Sequence, residues 1–139
     1  MVVDRQRATY DYHSATFLFM KRDMDMIREL LLDAEAHDVN LPPLDTSDPT
    51  MAYHVSLLKD AGFMDAIINN GIYGTPSDAI ILGLKWNGHD FLDAARNDTI
   101  WKKAKDEFMK PGISWTFSIL LEWLKQEARQ RFFPTPPIN

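Results

Sequence analysis

No cysteine occurs in this 139-residue chain. Disulfides, thiolate metal sites and cysteine nucleophiles are therefore excluded by composition, while the redox compartment stays open. Long hydrophobic runs are missing too: the longest, from Ala79 to Leu84 around Gly83, is about six residues against the roughly 18 that span a bilayer. The apolar patch Ala15 to Met20 behind Arg5 and Arg7 is too brief and too far along to read as a secretory leader. A cytoplasmic protein with no membrane partner is the expectation.

Catalytic signatures are equally scarce. There is no glycine-rich phosphate loop, no nucleophile elbow and no paired carboxylate motif. His13, His37, His54 and His89 show neither His-x-x-x-His nor Glu-x-x-His spacing, so no two ligands share a helix face. His89 and Asp90 are adjacent, and helical neighbours point about 100° apart, a poor arrangement for a base and its orienting carboxylate. His54, near the apolar arc of its helix, reads as a partly buried, hydrogen-bonded structural residue. We expect a non-enzymatic protein with no catalytic, cofactor-binding or metal-binding residues.

What is present suits a globular domain: 45% hydrophobic and 25% charged residues on a length that fits one domain. The net charge of -5 is unevenly spread. Residues 23 to 65 carry only Arg28 and Lys59 against ten acids, whereas the segments on either side are slightly basic. Phosphate contacts supply most nucleic-acid affinity, so an acidic segment is a poor docking face for DNA.

Apolar residues at helical spacing (Met24, Ile27, Leu30, Leu31, Ala34) predict a helix over about 23 to 37, and Pro42 and Pro43 predict a loop over 40 to 47. Asp48 before Pro49 is a strong helix start, and Gly62 ends that helix after Ala61. Phe63 to Ile68 and Ile80 to Leu84 read as a hairpin around the turn formers of 69 to 77. A helical region from Trp86 is broken or recapped at Asn97, Asp98 and Thr99. Ser114 is placed to cap a last helix with the stripe Phe117, Leu120, Leu121, Leu124 and Ala128. Met51, Val55, Leu58, Ile80, Leu82, Phe91 and Leu92 are expected to form one core.

The order helix, loop, helix, hairpin, helix resembles a winged-helix domain. Ala52 to Phe63 resembles the third helix of winged-helix repressors, the helix before the wing. Three blocks, Met20 to Arg28, that same helix, and Leu84 to Asp98 followed by Trp101 to Lys105, together resemble a family of small proteins common in phages and prophages and catalogued as a domain of unknown function. The resemblance covers about residues 20 to 128. It implies a winged-helix-like fold of class α+β with an added C-terminal helix, a mobile-element origin, and no established activity. The chain departs from the standard pattern in having about ten residues, two of them proline, between its first helix and Asp48, which leaves little room for a second short helix. The expected organisation is an extension over 1–19, the domain over 20–133, and a proline-rich tail over 134–139.

Two surfaces stand out. The outward face of the recognition-type helix offers Tyr53, Ser56, Lys59 and Asp60, and residues 63 to 84 contain no Lys or Arg. Base reading calls for Arg, Lys, Asn or Gln, and a wing normally adds cations, so only weak duplex-DNA affinity is expected, about 10⁻⁴ to 10⁻⁶ M at physiological salt. On the last helix, Trp115, Ile119 and Trp123 make a second apolar row that needs a cover, either the N-terminal segment or a second copy in a homodimer. Contacts with an unidentified protein partner are the expected function, with DNA-binding regulation as the alternative.

Overall fold

The computed structural model describes residues 22–110, 112 and 114–132, which fall into two compact units with their boundary between Lys85 and Trp86. The expected extension 1–19 and tail 134–139 lie outside the described residues. Among the described residues, no helix is long and apolar enough to cross a membrane.

In the first unit, helix α1 (Met24–Ala36) starts at Asp23, whose carboxylate accepts the Met26 amide at 3.2 Å. Its buried face is Met24, Ile27, Leu30 and Leu31. A short strand β1 (Leu44–Thr46) follows Pro42 and Pro43, where a loop was expected. It forms because three residues beyond the prolines can pair antiparallel with a longer strand: Leu44 with Ile81, Asp45 with Ile80, Thr46 with Ala79. Helix α2 (Pro49–Asp60) begins as its sequence dictates, with the Asp48 carboxylate accepting the Thr50 and Met51 amides at 2.8 and 3.4 Å. It ends in a Schellman turn. Gly62 takes φ 77°, its amide reaches the Lys59 carbonyl, and the Phe63 amide reaches the Leu58 carbonyl at 2.9 Å.

Strands β2 (Met64–Asn70) and β3 (Pro76–Leu84) form the hairpin, longer at both strands than the hydrophobic pattern implies. The antiparallel sheet has the order β1-β3-β2. Helix α2 packs against β2 and β3, and α1 against α2 and β3, so Ala52, Val55 and Leu58 meet Met64, Ala66, Ala79 and Ile81 in one core.

The expected core is corrected in three respects. Ile80 is only half-buried and Leu82 is 54% exposed, because pairing turns Ala79 and Ile81 inward. A one-residue change of register exchanges the two faces, and this strand is apolar on both. Phe91 and Leu92 are buried, but in the second unit's own core. Met51 is half-buried.

The second unit holds α3 (Trp86–Ala95), α4 (Asp98–Glu107) and α5 (Phe117–Phe132). Asn97 restarts the chain as α4, its side chain accepting the Ile100 amide at 3.0 Å. Phe91 lies 4.9 Å from Phe117 and meets Trp101 edge-on at 6.3 Å between ring centres. Ala94, Ala95, Ile100, Ala104, Leu120 and Leu124 complete this core. The expected cap at Ser114 is corrected to Thr116, whose hydroxyl accepts the Ile119 amide at 3.3 Å, because α5 begins at Phe117. Among the described residues, five helices and a small antiparallel sheet make the class α+β.

Candidate functional site

The outward face of α2 carries less free chemistry than its sequence offers. The Ser56 hydroxyl donates to the Tyr53 carbonyl within the helix, and Tyr53 is half-buried with its ring edge-on to His54. Lys59 and Asp60 are exposed side by side at the last turn. Their opposite charges leave no net attraction for phosphate.

The hairpin beyond α2 is built from acids and apolar groups. Asp65 pairs with Lys85 at 3.5 Å, and Asp78 accepts from the Asn69 amide group, while Ser77 donates to the Asn69 carbonyl at 3.1 Å. At the tip, the Gly74 amide donates to the Gly71 carbonyl at 3.0 Å, which makes Ile72 and Tyr73 the central residues of a turn. Both side chains project outward; Ile72 is 94% exposed. On the outer face of the sheet, Ile67 stands opposite Ile80, with Leu82 nearby and exposed.

His54 and His89 are placed very differently. His54 is buried, its Nε2 2.8 Å from the Asp23 amide and its Nδ1 2.8 Å from the Thr50 carbonyl oxygen. His89 is exposed, and neighbouring Asp90 pairs instead with Lys125 at 3.1 Å. His13 lies outside the described residues. Among the described residues, no group of three or more His, Asp and Glu is arranged to hold a metal ion.

The expected apolar row on the last helix is split: Trp115 precedes α5, which begins at Phe117, and only Ile119 and Trp123 lie on it. Phe108, just past the end of α4, packs on both Trp115 (6.3 Å) and Trp123 (5.9 Å), leaving both tryptophans half-buried, whereas Ile119 is 53% exposed. Beside Trp123, Lys103 donates to Glu127 at 2.9 Å with its ammonium 6.0 Å from the indole centre. The Glu127 carboxylate, through that hydrogen bond and its charge, holds the Lys103 ammonium above its ordinary pKa.

Residues 21–114 match the family model described as "Hypothetical protein (DUF2513)", and the chain belongs to that family. It is similar, at 34% identity over 116 residues, to a Haemophilus influenzae (strain Rd) protein described as "Uncharacterized protein"; the alignment covers 79% of this chain and 93% of that one. No solved structure matches the chain.

Two features escaped the sequence reading. Ile72 and Tyr73 sat among Asn, Gly, Pro and Ser and passed as loop filler, although large apolar residues at the centre of a turn are themselves a signal. Phe108 follows Trp101 and Ala104 as an apolar position of its own segment, and nothing local in the sequence pairs it with Trp115 and Trp123.

Proposed function

We propose that the chain is a non-enzymatic protein-binding module, an accessory protein of phage or prophage origin built on a winged-helix-like scaffold and working in the cytoplasm of a bacterial host. The observation that carries the reading is the hairpin tip. A wing serving DNA would carry cations for phosphate, whereas residues 63 to 84 have none and end in exposed Ile72 and Tyr73. Large side chains held out by a hydrogen-bonded turn suit insertion into an apolar pocket on another protein, where aromatic anchors supply much of the affinity. The scaffold part of the reading draws on the element order: α1, β1, α2 and then the β2–β3 hairpin, with β1 completing the sheet on the far side of β3.

The alternative, a DNA-binding winged-helix regulator, draws on the same element order with α2 as the reading helix. Paired experiments separate them. Affinity capture with the full chain and with an Ile72→Asp/Tyr73→Ser variant of equal thermal stability should lose a specific bound protein in the variant. Salt-sensitive retardation of duplex DNA that disappears on Lys59→Ala, with capture unchanged by the tip substitutions, would favour the regulator instead.

A further inference from the structure

The outward face of α5 borders a groove of about 530 Å³ that is open to solvent on one side. Phe108, Ile119 and Trp123 supply its apolar lining, and Glu122, Gln126 and Arg129 its polar rim. Among the described residues no buried polar side chain is aimed into it, and so none supplies the fixed donors and acceptors that orient a small molecule. An open apolar groove with a polar rim is a surface that the side-chain ridge of a helix can enter.

We propose that the occupant is α5 of a second copy of this chain, the two helices lying antiparallel about a two-fold axis between Lys125 and Gln126. Charge placement on the rim carries the choice. Glu122 and Arg129 are both exposed, and neither has an ion-pair partner among the described residues. The neighbouring charges are already engaged, Lys125 with Asp90 and Lys103 with Glu127. Seven residues is close to two helical turns, so Glu122 and Arg129 lie along one line of the helix, at equal distances on either side of that axis. The antiparallel two-fold sets Glu122 against the partner's Arg129 and Arg129 against the partner's Glu122. A parallel pairing would set like against like. The same face therefore complements itself in one orientation, and closing it covers Ile119 and the open side of Trp123. The Trp115 end of the row contributes less, since Phe108 already covers that ring.

The test uses the full chain in light scattering and sedimentation over about a hundredfold range of concentration. The expected species has twice the 16.0 kDa chain mass. Glu122→Arg and Arg129→Glu should each weaken the dimer about tenfold or more, because each juxtaposes like charges at both ends of the seam, and the double variant carrying both changes should recover the wild-type dissociation constant. Circular dichroism and thermal melting confirm that the variants stay folded, as expected for exposed positions. A wild-type chain that remains monomeric throughout overturns the proposal. So does a dimer indifferent to both single reversals, and so does a double variant no stronger than either single one.

Discussion

The backbone amide of Asp23 donates a 2.8 Å hydrogen bond to Nε2 of His54, tying the first residue before α1 to the buried side of α2. Because Asp23 N–H can only donate, Nε2 must accept, which puts the ring proton on Nδ1 and directs it to the Thr50 carbonyl oxygen 2.8 Å away. One imidazole thus satisfies a donor outside the helical ladder and fixes how two helices approach. Replacing His54 by Ala should cost about 2 to 4 kcal/mol, the sum of an orphaned amide and a cavity. Urea unfolding measures the loss, and a cost under about 0.5 kcal/mol would show that the bond is dispensable.

Neighbouring residues on β3 should respond very differently to truncation. Ile81 is buried, so Ile81→Ala should destabilise by about 2 to 4 kcal/mol, whereas the exposed Leu82→Ala should cost less than about 1 kcal/mol. Equal costs in denaturant titrations would contradict the strand register.

The two ends of α2 depend on single residues. Asp48→Ala removes the acceptor for two orphan amides and should cost about 1 kcal/mol. Gly62→Ala forces a Cβ into positive φ and should cost about 1 kcal/mol as well. The sites share no partner, so the double variant should lose the sum within about 0.5 kcal/mol, read from midpoint shifts at constant m-value.

A pH effect follows from Lys103 and Glu127. Glu127 raises the folded-state pKa of Lys103, chiefly through their hydrogen bond. A raised value means that the pair's contribution is complete below the ordinary lysine pKa of about 10.4 and is lost as pH climbs through the higher folded value. Lys103→Met keeps a long side chain beside Trp123 without the charge. Its Tm should lie slightly below wild type at neutral pH and converge with it as pH climbs through the raised lysine value; a gap that stays constant as the lysine deprotonates would contradict the pairing.

Much of the local architecture was legible from residue order alone. Asp48-Pro49 and Gly62 bracket α2 because capping and positive φ are properties of a few residues in sequence, and the Met24, Ile27, Leu30, Leu31 stripe marks the buried side of α1 for the same local reason. Asn97 marked the break between α3 and α4. The candidate faces were partly legible: Lys59 and Asp60 are exposed as expected, while Ser56 spends its hydroxyl on the backbone.

Residue order determined, then, where α2 begins and ends, where α3 gives way to α4, and that the hairpin carries no cation. Tertiary structure alone decided the rest. Ala79 to Leu82 is apolar on both faces, so only pairing with β1 and β2 selected Ala79 and Ile81 for the core and left Leu82 outside. Leu44 to Thr46 has no period of its own and became a strand because β3 offered it an edge. The partnership of Phe108 with Trp123, and with it the groove along α5, exists because α4 and α5 pack side by side, a relation between distant segments that no local spacing encodes.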